Sequence, residues 1–119
     1  PLRVNGDRNH RTIADAINGK SARTDLRIIR QQKFTSLVSA RPRTGYTHQI
    51  RSHLASIAHP VQGDILYHSM PDNSPAYPAK RLMLHAYTIQ FTHPVTNELI
   101  SFTSPYPPDF LEVLAHNEE

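Results

Sequence analysis

Residues 43–54, Arg43-Thr44-Gly45-Tyr46-Thr47-His48-Gln49-Ile50-Arg51-Ser52-His53-Leu54, constrain this chain more than any other stretch. A basic strand end runs into a glycine turn, and the turn opens an amphipathic helix over roughly 47–58. Gly45 is expected to take the positive φ that a sharp strand-to-helix turn needs. Thr47 is the expected N-cap, its hydroxyl accepting a backbone N–H of the first turn. Ile50, Leu54, Ile57 and Ala58 fall on one helical face. His48 and Arg51 share a flank, so free N–H groups, an imidazole and a guanidinium meet at the helix start. That combination suits an anion, a phosphate or a carboxylate.

The charge is divided as sharply as the pattern. The net charge is +3, but residues 1–55 hold eleven lysines and arginines against three aspartates, and residues 56–119 hold two against seven acids. Nine of the eleven are arginine, whose planar fork matches phosphate oxygens better than the point charge of lysine. A nucleic-acid partner is the natural reading, and a solvated basic face without a partner is the plain alternative. With no cysteine there is neither a disulfide framework nor a thiolate zinc site, and a reducing, cytoplasmic setting is expected. No apolar run reaches membrane-spanning length. The first residue is Pro1, so a chain trimmed or cut from something longer is expected.

Taken in order, residues 1–20 read as a loop-rich lead-in. Residues 22–30 alternate, with Ala22, Thr24, Leu26 and Ile28 against Arg23, Asp25 and Arg27, as in a half-buried strand. Phe34 to Arg41 reads as its antiparallel partner across a short polar turn. His59-Pro60 ends the central helix. Residues 69–80, with three prolines, read as a surface loop. Leu82 to Thr92 and Leu99 to Thr103 read as a second strand pair, and Phe110 to Ala115 as a short closing helix. The expected class is α+β, a mainly antiparallel sheet with a central helix.

Eight histidines raise the question of a metal. His48 and His53 lie about 140° apart around a helix and do not converge; no metal is expected. Neither a nucleophile-elbow nor a phosphate-loop glycine pattern occurs. Taken singly, Arg51 and Arg81 also suit arginines lying along the surface of a core.

Read together, the blocks are more specific. Thr44-Gly45-Tyr46-Thr47-His48-Gln49-Ile50-Arg51-Ser52-His53-Leu54-Ala55 resembles the Thr-Gly-Arg-Thr-His-Gln-Ile/Leu-Arg-x-His-Leu-Ala signature of RluA-type RNA pseudouridine synthases. His59 to Tyr67 is similar to that family's His-Pro-Ile-x-Gly-Asp-x-x-Tyr. Arg81-Leu82-Met83-Leu84-His85-Ala86, Phe91 to Thr96, Pro107 to Phe110 and Gly19 to Thr24 resemble four further blocks, in the family's order.

The resemblance implies an isomerase that converts uridine in structured RNA, ribosomal or transfer, to pseudouridine without a cofactor. It implies that Arg51 pairs with the family's catalytic aspartate, and that Ile50 lies near the uracil with Thr47, His48 and Gln49 on the substrate side. Arg41, Arg43, Tyr46 and Arg81 are then expected to face RNA. Two departures stand out. Tyr46 replaces the family's arginine, exchanging a basic contact for stacking. The aspartate's His-Arg-Leu-Asp context is absent from the 119 residues. The expectation is therefore the C-terminal portion of a catalytic domain, inactive alone, whose partner is the domain's N-terminal half. A non-catalytic RNA-binding module on the same scaffold is the alternative.

Overall fold

The computed structural model describes residues 1–4, 12–67 and 79–116. Two strands of two residues, β1 (Leu2–Arg3) and β2 (Ile13–Ala14), pair antiparallel, and Leu2 also bridges to Lys20. The described ends of the lead-in are thus pinned to each other. Asp15 closes the turn that follows by accepting the N–H groups of Ile17 and Asn18. Leu2, 1% exposed, is one of the few fully buried apolar side chains.

β3 (Thr24–Gln31) and β4 (Ser36–Pro42) form the expected hairpin, with Asp25 opposite Arg41 and Leu26 opposite Ala40. A bulge between Ile28 and Arg30 inserts Ile29 and interrupts the alternation read from the sequence. The helix α1 spans Gln49–Ser56. It ends in a Schellman turn, His59 N–H to Leu54 O and Ala58 N–H to Ala55 O, with Ala58 left-handed at φ 63°.

Beyond α1, the expected loop over 69–80 lies outside the described residues except for Ala79 and Lys80. The strand expected from Leu82 begins only at Thr88: β5 (Thr88–Thr92) pairs antiparallel with β6 (Leu99–Thr103). Just upstream the Tyr87 carbonyl accepts the last ladder bond, from the Ser104 N–H, and the rings there pack on one another. Tyr87 lies on Tyr106 at 5.0 Å and Tyr106 on Phe110 at 5.3 Å, while His85 Nε2 bonds the Ser104 carbonyl. α2 (Pro108–His116) starts on a proline, which needs no N–H at that position. The class is α+β, with its strands in three antiparallel two-stranded ribbons.

The apolar surface is only partly covered. The accessible surface is 8700 Å², against about 6500 Å² for a folded monomer of this mass. Ile28, Ile89 and Phe102 are each 59–63% exposed on their hairpins. On α1 the expected apolar face is half-open, with Ile57 54% exposed, and the buried positions are Gln49 and Ser52. The helix therefore seats on the strands through polar side chains, for reasons that belong to the site.

Candidate active site at the start of the central helix

Four polar residues are among the most buried in the chain: Thr12, Gln49, Ser52 and Asp64. Each must find partners, since an unpaired buried polar group is costly. Among the described residues no buried side-chain polar atom lacks one. Gln49 accepts from the Thr44 hydroxyl (2.7 Å) and the Tyr46 N–H, and donates to the Arg23 carbonyl and Thr24 Oγ1. It ties the turn, β3 and α1 into one body. Ser52 donates to the Thr12 carbonyl, and Thr12 Oγ1 donates to the Thr47 carbonyl at 2.6 Å.

Two expectations about the turn are corrected here. The N-cap is His48, in the left-handed region at φ 52°, ψ 28°, with no side-chain cap bond. Thr47 is exposed and contributes its carbonyl instead. Gln49 reaches back to the Tyr46 N–H and so fixes the turn that precedes the helix. Gly45 has no positive φ; among the described glycines Gly63 does, at φ 83°. A non-glycine residue in the left-handed region costs roughly 1–2 kcal/mol. Such strain persists where surrounding contacts over-determine it, often at functional sites. His48 is held by its Nδ1 at 2.9 Å from the Tyr67 hydroxyl, with the two rings edge-on.

Arg51, one turn into α1, points its side-on edge at Asp64. Nε donates to Oδ2 at 2.9 Å and Nη2 to Oδ1 at 2.8 Å. The Asp64 side chain is wholly buried and that of Arg51 is 18% exposed. Asp64 Oδ1 also accepts the N–H groups of Leu66 and Tyr67, so its own turn orients it. The Tyr67 ring lies under the guanidinium, 5.1 Å from Cζ, and the Tyr67 hydroxyl accepts the Thr12 N–H. The sequence reading did not assign Asp64, Tyr67 or Thr12. The signal for Asp64 was an aspartate followed at two and three residues by N–H groups it can cap.

Burial pushes the Asp64 carboxyl up, but the Arg51 fork and the turn N–H groups outweigh it and hold the group below its ordinary value. Hydrogen bonding to Asp64 raises Arg51 against the opposing effect of burial. A carboxyl whose folded pKa is depressed contributes stability above its unfolded pKa, about 3.9, and loses it as pH falls through the folded value. The Asp64 contribution to the denaturation midpoint is therefore expected to stay level from pH 7 to about pH 5 and fall below about pH 4, whereas His53, whose pKa burial pushes down, removes stability as pH falls through the ordinary histidine value of 6.5. Asp64→Asn should shrink that acid limb. Asp15, Asp25 and Asp109, also depressed, share it.

The remaining expected residues are more dispersed. Ile50 is half-buried beside Gln49, and Tyr46 is half-buried in the preceding turn. Arg41 is exposed on β4 opposite Asp25. Arg43 and Arg23 both pair with Asp25, at 2.6 and 2.8 Å. Arg81 forks onto Asp109 of α2 and donates to the Leu82 carbonyl. Its own carbonyl is the atom against which Gly63 packs. His53 meets the Thr24 hydroxyl at 2.7 Å, and burial pushes its pKa down. Among the described residues no three His, Asp or Glu side chains form a metal cage, and no helix is long and apolar enough to cross a membrane.

Comparison with known proteins places this geometry. A family model described as RNA pseudouridylate synthase matches residues 5–56. The chain is 41% identical over 110 residues to the ribosomal large subunit pseudouridine synthase D of Nitrosomonas europaea, covering 88% of this chain and 32% of that protein. It is 38% identical over 109 residues to an uncharacterized RNA pseudouridine synthase of Bacillus subtilis, covering 89% and 34%. It thus spans about a third of the length of the curated relatives it matches. The solved structure of human RNA Pseudouridylate Synthase Domain Containing 1 superposes with a TM-score of 0.68 at 28% identity, covering 89% of this chain and 46% of that one. By the matched family model, the similarity to these synthases over most of its length and the shared fold, the chain belongs to the RluA-type RNA pseudouridine synthase family.

Proposed function

We propose that this chain supplies the arginine side of an active site that isomerises uridine to pseudouridine in ribosomal or transfer RNA. The observation that carries the reading is the ordered Arg51 guanidinium at the start of α1. Asp64 occupies its side-on edge. Its end-on edge is the one a second carboxylate can take, and a guanidinium there keeps that carboxylate ionised. No His-Arg-Leu-Asp occurs in the 119 residues, so the reacting aspartate is supplied from outside them. The isolated chain is then inactive, and the open apolar faces of the hairpins are where the rest of the catalytic domain seats. No metal or organic cofactor enters this chemistry.

In this reading His48 and Ile50 line the uracil side with Thr47, and Gln49 acts by holding the turn, since its amide is engaged within the chain. Arg41, Arg43, Tyr46 and Arg81 meet the RNA. Arg43 and Arg81 already hold carboxylates at the surface, so phosphate has to compete for them. A non-catalytic RNA-binding module is the second reading, favoured by the missing His-Arg-Leu-Asp.

Both readings require salt-sensitive RNA binding. With about four phosphates neutralised, the log–log slope of affinity against salt should be near −3 for single strands. A flat dependence removes the basic segment as an RNA surface. Incubation of the full gene product with unmodified ribosomal and transfer RNA separates the two. Conversion of defined uridines supports the enzyme, and salt-dependent binding without conversion leaves the binding module.

A further inference from the structure

We propose that Asp64 and Tyr67 are positioning residues for this isomerisation, holding the Arg51 guanidinium in one orientation before the reacting carboxylate meets it. The inference rests on the proposed activity and adds two residues to it. A free arginine side chain has many rotamers, and a guanidinium that must be ordered during reaction loses that freedom at the worst moment. Here the freedom is already removed. Asp64 fixes the guanidinium plane through two bonds to its side-on edge. The Tyr67 ring supports its face at 5.1 Å.

Neither support is itself loose. The Asp64 carboxylate is tied to the N–H groups of Leu66 and Tyr67 in its own turn. Tyr67 cannot swing away without giving up the Thr12 N–H and His48 Nδ1, both 2.9 Å from its hydroxyl. Three separate segments therefore converge on the orientation of one side chain. Stability alone is a weak explanation for the arrangement. A buried ion pair often contributes no more than apolar residues of the same volume, whereas it does fix geometry. Pre-ordering of a charged group that acts in the transition state is what an active site needs of its supporting residues.

The test uses the full gene product and single-turnover pseudouridine formation, with RNA affinity measured on the same variants. Asp64→Asn and Tyr67→Leu are each expected to slow the reaction about 10–100-fold while the RNA Kd stays within about threefold, a split that misfolding does not produce. Arg51→Gly supplemented with ethylguanidinium should regain activity when Asp64 is present and not in the Asp64→Asn background. Nitrogen-15 NMR of the Arg51 Nε–H reads the ordering directly: a slowly exchanging signal in the wild type, fast exchange in either variant. Should Asp64→Asn fail to fold, Tyr67→Leu carries both readouts. A folded variant within threefold of the wild-type rate, or an unchanged Nε–H signal, overturns the inference and leaves the activity standing. A wild type that converts no uridine overturns the activity itself.

Discussion

Arg51→Ala in the full gene product is expected to lose about 10²–10³-fold or more of the single-turnover rate of pseudouridine formation. Removing one partner of a buried ion pair costs roughly 3–5 kcal/mol, and each 1.36 kcal/mol is tenfold in rate. Two carboxylates are affected. The reacting one loses the charge that keeps it ionised beneath a uracil ring. Asp64, whose side chain is wholly buried, keeps only the N–H groups of its turn. A lower melting temperature therefore accompanies the rate loss, and thermal melts have to be recorded beside the kinetics. Arg51→Lys retains a charge but not the planar fork, so partial activity is expected. Arg81→Ala, removing a surface fork to Asp109, should weaken RNA binding more than it slows turnover. A folded Arg51→Ala enzyme within tenfold of wild type takes Arg51 out of the site.

The second large effect belongs to a glycine. A Cβ on Gly63 would lie 2.0 Å from the Arg81 carbonyl oxygen and 2.7 Å from its carbon, and φ is 83°. The obstacle is backbone, which cannot rotate aside as a side chain can. Strain in φ alone is worth about 1–3 kcal/mol, and the steric conflict adds to it. Gly63→Ala is expected to destabilise by about 3 kcal/mol or more, or to prevent folding. It should also displace Asp64, because the adjacent Gln62 carbonyl accepts the Met83 N–H in the same junction. Gly45→Ala is the contrast: a Cβ there meets nothing within 4 Å. Its effect should be within about 0.5 kcal/mol. Denaturant midpoints of the two variants, measured in parallel, decide the matter. Equal midpoints would contradict the junction described between the 61–64 turn and Arg81.

That contrast also shows what the sequence did and did not reveal. A glycine at a strand-to-helix junction suggests itself as the conformationally special residue, because pattern locates the turn but not which residue bends it. In fact His48, three residues after Gly45, takes the left-handed conformation. The β3–β4 and β5–β6 hairpins and both helices were legible, since alternation and helical spacing are local signals. The β1–β2 pair was not, because two residues on each side carry no period. The Leu82 end of the expected strand lies outside the ladder, and His85 and Tyr87 there join a ring cluster with Tyr106 and Phe110, a contact no local pattern reports. At the site, Arg51 was singled out by its place on the helix. Its partner Asp64 lies beyond the Schellman turn, across 13 residues, so only the folded chain brings the two together.

The central claim is that these residues serve uridine isomerisation and that a reacting carboxylate must come from outside the 119. Pseudouridine mapping by chemical labelling, on one RNA treated in parallel with this chain alone and with the full gene product, tests it most directly. Circular dichroism establishes the fold of each sample. The account predicts no pseudouridine from the chain alone and defined sites from the full product. Turnover by the chain alone would contradict it, and would make Asp64 the first carboxylate to examine.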